Sequence, residues 1–360
     1  MADTSKWKVG IKQGANWGDA VAVGANDGVL LVSESLSEGI PEAVPDESIG
    51  MSMAGTPLQG NIKTEGNVVE TVRYEGFERH LALFCGGDTP ALVDGATAAH
   101  AHTMPFLASN SGKFATVAID KAVGSLYEYP SVKFNQLELA HDKGRLQATL
   151  SCIANRCNRA STLNTPASLA ALSYPSVGLM AIFNQLKVRL HQLTGTESNL
   201  ADADELLVSS AKLSLNRNLA GDYVCGSRSG EVDEPSSNGF PSGTLELTFP
   251  KHTAAVDTLI ALAQTRAAGC VPPSFKASLV WTGPVLEAAI PYSLTAMFAN
   301  LTIAKAPANA GSPGAKVPVT MTFNVSAPAS DGLGSDWTWA KAGGSPAMFV
   351  VVNKNSSAAA

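Results

Sequence analysis

Leu146-Gln147-Ala148-Thr149-Leu150-Ser151-Cys152 alternates apolar and polar side chains without a break. Alternation at period two puts one set on a core face and the other on a polar face, the signature of a half-buried strand. The same pattern runs through Val317, Val319, Met321, Phe323 and Val325, separated by Pro318, Thr320, Thr322 and Asn324. Leu186, Val188 and Leu190 alternate with Lys187, Arg189 and His191, and Leu245, Leu247 and Phe249 flank Glu246 and Thr248. Strand is therefore expected to dominate. His141-Asp142-Lys143-Gly144 lies between two such runs and has the chemistry of a hairpin loop.

Two segments follow helical spacing instead. Phe77, Leu81 and Phe84 recur at steps of four and three, and Gly86-Gly87 supplies a positive-φ stop. A second helix is expected from a cap at Thr253 through Val256, Leu259, Ile260 and Ala263 to a stop at Gly269. Each half of the chain thus owns one helix.

The order of these signals recurs. Leu30-Leu31-Val32-Ser33 leads into a polar loop over 37–48, then the first helix, then the hairpin around 132–153. Leu206-Leu207-Val208-Ser209, 176 residues on, leads into a longer polar loop over 221–241, then the second helix, then paired strands near 293–304 and 316–327. Val69-Glu70-Thr71 against Val256-Asp257-Thr258 gives a spacing of 187. A duplicated β-rich domain with one helix per copy is the expectation, its boundary in the Ser, Thr, Ala and Pro of 160–178. The resulting division is 1–170, 171–334 and a C-terminal strand or arm over 335–360. In that last segment Trp337 and Trp339 are expected on one face of extended chain, ahead of Met348-Phe349-Val350-Val351-Val352.

At 360 residues the chain is long enough for two average domains, and its formal charge is −6. Charged residues make up only 16%, against roughly 25% in an ordinary soluble domain, which disfavours a basic nucleic-acid reader. A surface this neutral can be covered by partners at little desolvation cost, so self-assembly is expected. No run approaches the roughly 18 apolar residues of a membrane-spanning helix, and the start has no apolar signal core; a soluble, unsecreted chain is expected. Cys85, Cys152, Cys157, Cys225 and Cys270 are odd in number and form no CxxC pair, so reduced, buried thiols are expected.

Motifs that could carry chemistry are weak. His100 and His102 could share a strand face, but no third or fourth metal ligand is near, and a loop or surface pair is the better reading. Ser111-Gly112-Lys113 lacks the upstream glycine and following hydroxyl of a phosphate loop. Gly226-Ser227-Arg228-Ser229-Gly230 lacks nucleophile-elbow spacing and reads as a flexible loop. Glu231, Asp233 and Glu234 are close in sequence, yet glycoside hydrolysis needs a fixed separation and unequal environments that proximity alone does not supply. Asn300-Leu301-Thr302 and Asn324-Val325-Ser326 match glycosylation sequons inside expected strands of an unsecreted chain. No catalytic, cofactor-binding or metal-ligating residue is expected.

The ordered set of Gly10-Ile11-Lys12-Gln13-Gly14-Ala15-Asn16-Trp17-Gly18-Asp19-Ala20, the Leu31-to-Leu36 strand followed by Ile40-Pro41-Glu42, and Tyr74-Glu75-Gly76-Phe77 resembles the tail tube (major tail) proteins of long, non-contractile-tailed bacteriophages. Val132-Lys133-Phe134-Asn135-Gln136-Leu137-Glu138-Leu139 through Leu150, and Leu213-Ser214-Leu215-Asn216-Arg217-Asn218-Leu219, are similar to the same family. The order covers roughly 7–325. The resemblance implies a mainly β (α+β) fold: two tandem tail-tube-like domains, each a β-sandwich or partly closed barrel flanked by one α-helix. It implies stacked rings forming a conduit for double-stranded DNA, which passes without specific binding. Three chains of two domains would make a pseudo-sixfold ring, with a true hexamer as the alternative. Tape measure, tail terminator and distal tail proteins are the implied partners, no membrane is involved, and no cofactor is needed. The implied location is the virion tail, assembled in the host bacterial cytoplasm. In the family, loops comparable to 37–48 and 221–241 contact the neighbouring ring, so deleting 224–238 is expected to leave folded subunits that do not polymerise. A β-sandwich carbohydrate-binding or adhesion protein of the virion is the alternative function.

Overall fold

The computed structural model describes residues 7–44, 56–142, 144–194, 196–225, 230–264, 272–305, 318–328, 332–341 and 344–359. Lys143 of the hairpin turn, residues 45–48 of the first loop, Gly226 to Ser229, Gly269, Cys270 and Val317 lie outside these residues.

The fold is a mixed α/β arrangement dominated by strands, with a few helices. In Arg145–Ala154 every second residue is buried, from Leu146 to Ala154. A slip of one residue would bring Gln147 and Thr149 to the core and expose Leu146 and Leu150, forfeiting about 2 kcal/mol for each leucine. Ser210–Asn216 and Ser242–Phe249 alternate in the same way. Leu126–Asp142 differs, since its Glu128–Phe134 stretch is buried on both faces. The Phe77–Cys85 helix covers it on one side, with His80 edge-on to Phe134 at 6.0 Å between centroids.

Among the described residues every strand-to-strand ladder is antiparallel, and apart from two short ribbons the strands belong to one continuous network. In the first half Lys8–Gln13 pairs with Ala115–Asp120, which pairs with Leu126–Asp142. That strand pairs with Arg145–Ala154, which pairs with Lys63–Thr71, itself bordered by Leu31–Glu34 and Ser37–Gly39. In the second half Leu186–Gln192 pairs with Ser274–Glu287, and this with Ile290–Lys305. The run continues through Val319–Val325 and Ser242–Phe249 to Ser210–Asn216. The two runs pair in the same order, and a helix follows the fifth strand in each. The ladder slip between Phe134 and Gln136 recurs between Ile303 and Lys305.

Among the described residues two strand ladders join the halves. Gln136–Leu139 pairs with Leu213–Asn216, and the C-terminal Ala347–Asn353 strand lies between Ile290–Lys305 and His100–Pro105. One apolar cluster accordingly draws on both, from Val9 to Val351.

The Phe77–Cys85 helix stops where expected. Gly86 takes φ 107°, its N–H bonds to the Ala82 carbonyl, and a Cβ there would come within 2.7 Å of the Ser109 carbonyl oxygen. The second long helix is Ala254–Gln264, with Thr253 Oγ1 accepting the Val256 N–H at 3.3 Å.

Several expectations need correction. The spacing of 187 fails, because Val69–Thr71 ends a strand while Val256–Thr258 lies in a helix. The 160–178 segment adds a helix to the expected one per half. Pro166–Ala170 forms a third, short helix capped by Thr165 and Ser168, and Leu169 and Leu172 pack with Val23, Ala118 and Leu126. Ser335–Ala340 is a 3-10 turn, not extended chain; Trp337 is buried and its ring lies 5.7 Å from that of Trp339. The first polar loop is partly strand, since Ser37–Gly39 joins the main sheet and Glu42–Ala43 pairs with Leu58–Gln59.

Candidate assembly surface

Among the described residues, Ser37–Gly39 has a strand partner on one side only. Backbone direction follows from its neighbours. Ser35 donates its N–H inward to the Asn67 carbonyl, whereas Leu36 turns the other way, its N–H reaching Glu34 Oε2 and its carbonyl accepting the Tyr129 hydroxyl. By alternation Glu38 and Ile40 aim their backbone groups outward. An exposed row of this kind is a template for pairing with another chain.

The matching strand of the second half, Ser210–Asn216, is instead paired on both sides. Its outer joint is built around Asn135, the extra residue of the first-half bulge. The Asn135 carbonyl accepts the Arg217 N–H at 2.8 Å, and its side-chain oxygen accepts the Leu219 N–H at 2.8 Å. Gln136 Nε2 donates to Ser214 Oγ at 3.1 Å, and Lys212 Nζ lies 3.0 Å from Glu138.

Arg217 then leaves the strand and is buried in the first half. Its guanidinium donates to the carbonyls of Phe84, Cys85 (2.6 Å) and Leu107 (2.9 Å), closing the C-terminus of the Phe77–Cys85 helix. The ring of Phe106 lies 4.2 Å beneath it. Desolvation pulls the guanidinium down to about 10, and burial pushes the Cys85 thiol up to about 12. Carbonyl dipoles at a helix C-terminus compensate a cation there.

Residues 221–225 and 230–241 form a flap fastened to the first half. Trp17 Nε1 donates to the Val232 carbonyl, Ile62 N–H to the Gly230 carbonyl, and Arg156 lies 3.0 Å from Glu231. Glu234 Oε1 accepts from Gly112 N–H at 2.7 Å and from Lys133 Nζ at 2.5 Å. Lys133 is 2% exposed, and burial lowers its pKa against the opposing pull of Glu234. Deleting 224–238 would strand this ammonium, so the deletion would not separate folding from assembly as expected. Phe240, two residues before the Ser242–Phe249 strand, is 95% exposed, the barest large apolar side chain described.

The remaining sequence motifs resolve into structural contacts. His100 and His102 lie on a strand, and His102 is fully buried, not a loop or surface residue. Its Nδ1 meets Asp88 Oδ2 at 2.7 Å and its Nε2 meets the Asn355 carbonyl at 2.9 Å. Both partners are acceptors, so the ring donates from both nitrogens. Burial opposes that charge, but the Asp88 hydrogen bond and charge hold the His102 pKa above its ordinary value. Ala359 N–H also reaches Asp88, so this pair straps down the chain end. Ser111-Gly112-Lys113 is a turn under the flap. Glu231 and Glu234 are spent on ion pairs. Asn300 donates to the Ala327 carbonyl, and Asn324 lies in the Val319–Val325 strand. Cys85, Cys152, Cys157 and Cys225 are free thiols, and Cys157 and Cys225 are not buried as expected. Among the described residues no cluster could hold a metal ion, and no helix is long and apolar enough to cross a membrane.

Sequence reading singled out neither Arg217 nor Asn135 for these roles. Asn135 has a signal: the apolar positions Val132 and Phe134 fall on even numbers and Leu137 and Leu139 on odd ones, and such a phase change marks a bulge. A lone arginine after a strand carries none.

Residues 5–327 match the family model described as phage tail tube protein. No curated protein matches the chain. With an open strand edge, a flap on the sheet and a match across nearly its whole length, the chain belongs to the phage tail tube protein family, non-catalytic structural subunits of the bacteriophage tail that self-assemble into oligomeric tubes.

Proposed function

We propose that three copies of this chain close one ring of the tube, each contributing two tail-tube-like units, approximately 1–170 and 171–334, with 335–360 as a terminal strand segment. Each unit is a β-sandwich or partly closed barrel flanked by one helix. The observation that carries this reading is the repeated strand order together with the repeated bulge at Phe134/Gln136 and Ile303/Lys305. Stacked rings then form a conduit for double-stranded DNA. A conduit must not grip its cargo, because every phosphate contact adds affinity, and the formal charge of −6 is in keeping with that requirement. The outer end of the 221–241 flap reaches the next ring. Tape measure, tail terminator and distal tail proteins meet the tube along its length and at its ends. Assembly takes place in the host bacterial cytoplasm.

Electron microscopy of the concentrated purified protein tests the reading. Striated tubes whose cross-sections average to threefold symmetry with six lobes are expected. Rings of six chains would overturn the three-copy ring, and particles that stay single at high concentration would overturn the conduit itself.

A further inference from the structure

We infer that the Ala304–Lys305 bulge of one copy pairs with the Ser37–Ile40 edge of the next, repeating between chains the joint that Asn135–Gln136 and Ser214–Arg217 make within each chain. This rests on the ring reading above and names its contact.

The donor side follows from register. Gln136 stands opposite Ser151 just past the first bulge, and Lys305 stands opposite Thr322 just past the second. Beyond the first bulge the far edge of the strand is occupied, with Gln136 facing Asn216 and Leu137 facing Leu215. At the second, pairing with Ser274–Glu287 ends at Thr302, and Ala304 and Lys305 are exposed with no described strand opposite. The second bulge is thus the same device with its far side unfilled.

The receiving side follows from the same comparison. Asn216 faces Ser242 and Gly39 faces Lys63, the first residue of the equivalent strand in each half. Gly39 therefore stands where Asn216 stands, Ser37 where Ser214 does, and Ile40 where Arg217 does. The outward N–H of Ile40 meets the Ala304 carbonyl as Arg217 N–H meets that of Asn135. Lys305 lies against Ser37 as Gln136 lies against Ser214. Ile40 is 46% exposed and free to be covered. Each chain owns one donor and one receiver at opposite ends of its pairing order, so the joint is head-to-tail and generates a ring when the rotation closes.

The test introduces Ser37→Cys and Lys305→Cys together into a chain whose Cys157, Cys225 and Cys270 are replaced by Ser, and treats assembled tubes with a short bismaleimide. Chain-to-chain cross-links are expected on denaturing gels, with none from either single variant. A Gln136→Cys, Ser214→Cys chain provides the internal control, since it must cross-link within one chain. Intact tubes in which the control reacts and the 37/305 pair yields only single chains would overturn this joint while leaving the tube reading standing. A parent chain that never assembles would overturn both. Ile40→Pro removes the donor N–H from a residue outside the Ser37–Gly39 ladder. It is expected to give subunits with unchanged circular dichroism and melting temperature that no longer form tubes, and normal tubes from it would also overturn the joint.

Discussion

Arg217 Nη2 lies 2.6 Å from the carbonyl oxygen of Cys85, joining the end of a second-half strand to the end of the first-half helix. No described carboxylate neutralises this guanidinium; three carbonyls hold it. Arg217→Ala would leave those carbonyls buried and unpaired at a cost of about 3 kcal/mol or more. Arg217→Lys would recover little, since a single ammonium cannot reproduce the planar fork. Denaturant titration of both variants checks this, and a loss under about 1 kcal/mol for the alanine variant would contradict it.

The Lys133 and Glu234 pair fastens the flap. Glu234→Gln leaves a buried ammonium without its counter-charge, and a loss of about 3 kcal/mol is expected by analogy with other broken buried pairs. The flap is also expected to be cleaved earlier in limited proteolysis. Wild-type cleavage kinetics would show that other contacts hold it.

Glu287 caps the 97–99 turn across the half boundary. Its carboxylate accepts from Thr97 Oγ1 (2.5 Å), the Thr97 N–H, the Ala98 N–H and the Ala99 N–H (3.1 Å). These bonds, led by the Thr97 hydroxyl, lower its pKa from 4.5 to about 2. A depressed carboxylate contributes stability above the unfolded value near 4.5, which is lost as the pH falls toward 2. Wild type and Glu287→Gln should therefore differ at pH 6 and converge near pH 2 in thermal melts.

His102 has the opposite sign. Its folded pKa is raised above 6.5, so its contribution is fully present below 6.5 and disappears as the pH rises through the folded value. Protection of residues 353–359 against hydrogen exchange, taken relative to the intrinsic rate at each pH, is expected to fall on alkalinisation in wild type. In His102→Gln that protection should be low and independent of pH over the same range.

Phe240 is the sharpest probe of the ring stacking proposed above. Its exposure means that Phe240→Ser should change subunit stability by less than about 0.5 kcal/mol. Shorter tubes at equal protein concentration are expected in electron micrographs. Unchanged length distributions would remove Phe240 from the contact.

Local patterns were enough to define strands 145–154, 186–192 and 242–249, both long helices and the Gly86 stop. Each depends on periodicity or on a backbone angle that only a few neighbouring residues decide. The expected match of Val69 to Val256 failed, because it joined a strand to a helix. What folding in three dimensions decided is which edges are closed. Among the described residues Ser210–Asn216 is covered and Ser37–Gly39 has one side open, because the first-half bulge at Asn135 turns its strand onto the former. Placing Arg217 at Phe84, Glu234 at Lys133 and Glu287 at Thr97 likewise required contacts between residues more than 100 apart in the chain. Such pairings depend on how whole sheets are juxtaposed, and no local period encodes that.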